Sequence, residues 1–229
     1  MSDLFTATTA AQVEEALARG AEIDRIERET TPLLSACKRG ELEVVDCLLN
    51  HGANPNHSAP FLLKPIQRAS LSGHAAIVER LVKAGADIND TRENTTSPLV
   101  LASQEGHVDV VDCLLSLGAD TETTESLSSK RTALMCACSK NNIDVVDRLL
   151  SLGCDVNVQD ECGMTALMYS CSENKIDIVR LLLDQGADPL LRDEQERKAI
   201  DFAESSPEIQ TLLNGLILLS FHHRHHRVP

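Results

Sequence analysis

Apolar residues in this chain recur in short helical stripes separated by polar turns. The stretch 131–163, RTALMCACSKNNIDVVDRLLSLGCDVNVQDECG, shows the arrangement in full. Thr132-Ala133-Leu134 predicts the start of a short first helix. Ala133 and Ala137 are small and one turn apart, which lets another helix approach closely. Asn141-Asn142 breaks that helix, because Asn tolerates the left-handed backbone of a tight turn. A second helix is predicted from about Ile143 to Leu152. Ile143, Val146, Leu149 and Leu150 fall on one stripe of it. Asp144 lies at its positive N-terminal end, and Gly153 stands where a helix stop needs a residue without a β-carbon. A polar, turn-rich segment then leads to Thr165-Ala166-Leu167, where the pattern begins again.

A unit this short cannot bury enough apolar surface to fold alone, so its Leu/Val stripe must pack on neighbouring copies. Two markers count the copies. Pro32, Pro65, Pro98, Ala133, Ala166 and Ala199 lie 33, 33, 35, 33 and 33 residues apart. Gly20, Gly52, Gly85, Gly118, Gly153 and Gly186 lie 32, 33, 33, 35 and 33 apart. Both place a two-residue insertion between Gly118 and Ala133. A fixed period in this range predicts a solenoid.

The segments TPLLSACKRGELEVVDCLLNHGANPN from Thr31, SPLVLASQEGHVDVVDCLLSLGAD from Ser97 and TALMYSCSENKIDIVRLLLDQGADP from Thr165 resemble ankyrin repeats. The resemblance runs from about Leu4 to Asn214 and is loose at the helix starts. The family's His is replaced by Leu34, Gln67, Val100, Met135 and Met168, and Lys64 and Lys198 replace the Thr, losing a hydroxyl cap. It implies an all-α solenoid of stacked helix-turn-helix pairs with β-hairpin or turn fingertips. The expected units are an N-terminal cap over 1–29, repeats over 30–60, 63–93, 96–126, 131–161 and 164–194, a truncated closing unit over 197–214 and a His-rich tail over 215–229.

Composition narrows the function. Aromatic residues are only 2% of the chain, which suits a stack of short helices better than a globular core. A net charge of −14 opposes nucleic acid and anionic membrane as partners. The opening MSDLFTATTAAQ lacks the basic and long apolar runs of a signal peptide, and no apolar run reaches the ~20 residues of a membrane span. Cys37, Cys138 and Cys171 share one repeat position, and Cys47 and Cys113 another. Cysteines that follow the repeat phase are expected to pack as small apolar residues in a reducing cytoplasmic or nuclear setting.

No catalytic constellation is present: no nucleophile elbow, no phosphate-binding Gly-rich loop, no His-Glu-x-x-His. His74 and His107 follow Gly73 and Gly106 at equivalent turns and are read as structural. The expectation is therefore a non-catalytic, monomeric adaptor without cofactor. A substrate-recruiting or inhibitory subunit of an enzyme complex, such as a ubiquitin ligase, is the alternative, although no box motif for a ligase core is evident. A metal-responsive binder using the four histidines within His222–His226 is a further one.

By the resemblance, partners bind a concave side built from the fingertips and the exposed face of each first helix. Repeat position then gives one column: Ser35, Arg68, Leu101, Cys136, Tyr169 and Phe202. The preceding position adds Met135 and Met168, for which a core role stays open. Lys130 and Arg131 frame this groove with Arg28, Glu29, Arg92, Glu93 and Glu161. Phe61 and Leu62, in the unusually apolar fingertip SAPFLL, are either a contact point or local packing. The longer connection from Thr121 to Arg131 reads as a tolerated insertion, since loop length changes stability little. The resemblance also singles out Asn89 and Asn157 as candidates for hydroxylation. Each follows an acidic and an aliphatic residue, with Leu81 or Leu149 eight residues earlier; alternatively each Asn only closes its turn.

Overall fold

A computed structural model describes residues 3–58, 63–90, 96–126 and 128–225, with the backbone alone from 217 onward. The expectations for Phe61, Leu62, Arg92, Glu93 and the histidine side chains of the tail lie outside the described residues. The chain opens with a single helix, α1 (Ala10–Ala18), and continues as helix pairs. These are α2 (Pro32–Arg39) with α3 (Leu42–Asn50), α4 (Pro65–Leu71) with α5 (Ala75–Lys83), and α6 (Pro98–Glu105) with α7 (Val108–Ser116). Then follow α8 (Ala133–Lys140) with α9 (Ile143–Ser151), α10 (Ala166–Ser172) with α11 (Ile176–Asp184), and a 3-10 turn Ala199–Phe202 with α12 (Pro207–His225). Two isolated β-bridges, Glu27–Thr30 and Thr124–Thr132, are the extended pairing among the described residues.

Four of the first helices begin where a hydroxyl accepts an orphan N–H. Thr31, Ser97, Thr132 and Thr165 accept from the amides of Leu34, Val100, Met135 and Met168. Lys64 and Lys198 have no such oxygen. There the bond runs the other way: Gln67 accepts the Lys64 amide at 2.8 Å and Asp201 accepts the Lys198 amide at 2.7 Å. Asn141 takes the left-handed conformation at φ +63, which ends α8.

The first helices form one row, α2 to the 3-10 turn, and the second helices form another. Successive first helices pack more closely than successive second helices, so the first row lies on the inside of the curve. The core between the rows is continuous from Leu4 to Leu213. The second-helix stripe differs from expectation at one place. Val145, Val146, Leu149 and Leu150 face inward, whereas Ile143 is 38% exposed. Ile143 is the first residue of its helix, and the stripe turns into the core only after it. Arg80 reaches Asp46 and Arg148 reaches Asp112, so ion pairs tie neighbouring second helices across the back of the stack.

All eight cysteines are free, and Cys37, Cys138 and Cys171 are fully buried. Burial pushes the Cys138 and Cys171 thiols up to about 12. They are packing residues without thiolate character at neutral pH. His107 holds its turn through Nε2, 3.2 Å from the Leu71 carbonyl oxygen.

Candidate protein-binding face

The inner row does not expose the expected column uniformly. Leu101 is 7% exposed, Met135 and Met168 1% each, and Cys136 0%, so these four belong to the core. The correction has a local cause. Leu101 and Cys136 are smaller side chains on α6 and α8, which pack extensively on each other, and Gln104 Nε2 lies 3.7 Å from Cys136 Sγ. Arg68, Tyr169 and Phe202 are larger and remain half-buried.

Around Tyr169 the structure builds a polar network from five segments. The phenol donates to Asp160 Oδ2 at 2.7 Å. Asp160 is itself buried, and its Oδ1 accepts the amides of Cys162 and Met164 at 2.9 Å each. The Arg131 guanidinium lies 4.7 Å over the Tyr169 ring, a cation–π contact. Arg131 also donates to Ser139 Oγ at 2.8 Å and stands 3.6 Å from Glu125. Gln104 donates to Glu125 at 2.9 Å. Partial burial, and then the bond to Asp160, hold the Tyr169 phenol above its ordinary pKa, so it stays a neutral donor.

The next unit repeats the device. Arg197 lies 4.5 Å over the Phe202 ring and donates through Nε to Asp193 Oδ2 at 2.8 Å. Burial opposes the charge on Asp193, but bonds from Arg197 and the Gln195 amide outweigh it and hold its carboxyl below the usual range. Gly163 lets these fingertips meet: a β-carbon there would lie 2.9 Å from Asp193 Cα. Lys130, with φ +51, pairs with Glu161 on the following fingertip.

Asp160, Glu125, Gln104, Ser139 and Arg197 were not expected in the site. A signal existed for two of them. Asp160 and Asp193 share the period, and Arg197, like Arg131, immediately precedes a helix start. Asn89 and Asn157 lie on the fingertips, where their Oδ1 atoms accept the amides of Asp120 at 3.0 Å and Asp188 at 2.8 Å. Both therefore join units as well as closing turns. Among the described residues, no group of three or more His, Cys, Asp or Glu side chains is placed to hold a metal ion. No helix among them is long and apolar enough to cross a membrane.

The paired helices, phased glycines and single continuous core define a helical-repeat solenoid. A sequence model of ankyrin repeats, three copies long, matches residues 5–92, 66–160, 99–193 and 134–214, and the chain belongs to the ankyrin repeat family. The structure resembles the crystal structure of the human ASB11 ankyrin repeat domain. The TM-score is 0.81 at 25% identity, over 93% of this chain and 96% of that one. No curated protein sequence matches this chain. Ankyrin repeats are generally protein–protein interaction modules.

Proposed function

We propose that this chain is a non-catalytic adaptor that binds a partner protein on the inner row, at its C-terminal half. One observation carries the reading. Tyr169 and Phe202 each present a half-buried ring stacked beneath an arginine, at positions where the two units before them bury Leu101 and Cys136. Aromatic and arginine side chains of this kind dominate binding hot spots. Preorganised stacks also reduce the ordering cost of association. Arg68, Lys130 and Arg131 extend the surface toward the N-terminal units. Free cysteines packed at equivalent core positions support a reducing, cytoplasmic or nuclear setting. The negative net charge favours protein over nucleic acid or anionic membrane.

The test is an affinity pulldown from cell lysate with wild type and the Tyr169→Ala/Phe202→Ala double variant, read by quantitative mass spectrometry. Proteins lost only with the variant are the expected result. Identical protein lists, with the variant folded by circular dichroism, sink the reading.

A further inference from the structure

Fingertip side chains join successive units by a repeated hydrogen bond. Asp24 accepts the Asn54 amide at 3.2 Å, Asn56 the Asp87 amide at 3.0 Å, Asn89 the Asp120 amide at 3.0 Å and Asn157 the Asp188 amide at 2.8 Å. At one joint the accepting position is Glu122, and among the described residues no such bond reaches Asp155. The two-residue insertion falls at this joint. A backbone bond still crosses this joint: the Glu161 amide donates to the Ser129 carbonyl at 3.2 Å, as the Glu194 amide does to the Cys162 carbonyl at 3.0 Å one joint on. What this joint adds is the ion pair of Lys130 with Glu161.

Serines hold the loop in shape. The Lys130 amide donates to the Ser126 carbonyl at 3.0 Å, the Ser129 amide to Ser126 Oγ at 3.2 Å, and Ser129 Oγ to Glu125 at 3.2 Å. Ser128 has a different position. It is exposed, and among the described residues its hydroxyl contacts another hydroxyl, Ser126 Oγ, at 3.1 Å. Its loss leaves every backbone bond of the loop in place, and unlike Ser129 it holds no carboxylate.

We propose that Ser128 is a phosphorylation site for an ATP-dependent serine/threonine protein kinase, and that the phosphate opens this joint. In the transfer, Ser128 Oγ bonds to the γ-phosphorus of ATP and the bond to ADP breaks. The hydroxyl proton passes to the kinase's base. The product carries about two negative charges at pH 7. Lys130 and Arg131 follow two and three residues later, each committed to a single carboxylate, Glu161 and Glu125. A dianion with three acceptor oxygens outcompetes these carboxylates, and it adds like charge to the loop that carries Glu125. Drawing Lys130 away removes the ion pair that spans the joint. Drawing Arg131 away uncovers the Tyr169 ring. Only this last consequence rests on the proposed binding role of Tyr169.

The test uses the full chain. Incubated with cell lysate and radiolabelled ATP, wild type is expected to take up label that Ser128→Ala loses. Equal labelling of both, or none, overturns the site. In a second measurement, phosphoserine is installed at 128 by suppression and amide exchange is followed. The Glu161 amide is expected to exchange at least about tenfold faster, while the Asp188 amide in the next joint is unchanged. Unchanged exchange at Glu161 overturns the opening mechanism. Neither measurement involves a partner, so failure here is distinct from failure of the Tyr169 surface, which the pulldown reads in unmodified protein.

Discussion

Truncating Leu149 to Ala tests the register of the whole stack. Leu149 lies on α9, is 1% exposed, and packs in the continuous core with Val146 and Leu150. The change removes three carbons. At about 0.8 kcal/mol for each methylene taken from water, the transfer loss is about 2.4 kcal/mol. The hole cannot close easily, because α7 and α11 hold α9 from both sides. The cavity then brings the expected cost to about 3–5 kcal/mol. In a linear array stability is the sum of unit and interface contributions, so one buried leucine weakens its own unit and two interfaces. The assay is urea unfolding followed by circular dichroism, with Ile143→Ala as the comparison. Ile143 is also apolar and on the same helix but 38% exposed, and its truncation should cost under about 1 kcal/mol. Equal costs for the two variants, or a Leu149→Ala chain as stable as wild type, would refute the assignment of the inward stripe.

Asn157→Ala should cost about 1 kcal/mol and speed exchange at the Asp188 amide, because that amide loses its acceptor; Glu122→Asn should slow exchange at the Asp155 amide by supplying the missing rung. Burial raises the thiols of Cys136 to about 11 and of Cys138 and Cys171 to about 12. A raised folded pKa means that this stability is complete below the unfolded value near 9 and is lost as pH rises from there toward 11–12. Melting temperature should therefore fall above about pH 9, and a Cys138→Ala/Cys171→Ala chain should show a shallower fall. Maleimide at neutral pH should label the exposed Cys162 first and reach Cys37, Cys138 and Cys171 only on unfolding, as peptide mapping would show.

The features legible in the sequence are those set by local backbone rules. The Thr and Ser caps, the left-handed Asn141 and the glycines after each second helix depend on neighbouring residues, and each appears where its spacing places it. The period follows from them, and the stack from the period. Exposure along the inner row depends instead on the distance between two helices about 33 residues apart. Leu101 and Cys136 occupy the same repeat position as Tyr169, yet as smaller side chains on α6 and α8, which pack extensively on each other, they are buried. No apolar pattern within one unit encodes that distance. The same holds for the polar network, in which Arg131, Asp160 and Tyr169 meet across separations of 9 to 38 residues.

The insertion connects these levels. Two residues added between Gly118 and Ala133 are nearly neutral in loop entropy, and by that criterion alone they carry no information. Their consequence is geometric. They fall in a fingertip whose Lys130 pairs with Glu161, at the joint where Glu122 stands in the place of a bridging asparagine. Arg131, directly before the Thr132 cap, lies over the ring of the following unit. The joint that departs from the repeated bonding is thus the joint that assembles the Tyr169 network. A departure from the period need not weaken a solenoid. Here the side-chain rung is exchanged for a Lys130–Glu161 ion pair beside the backbone bond shared with the next joint, and an ion pair is the kind of link on which a change of charge acts.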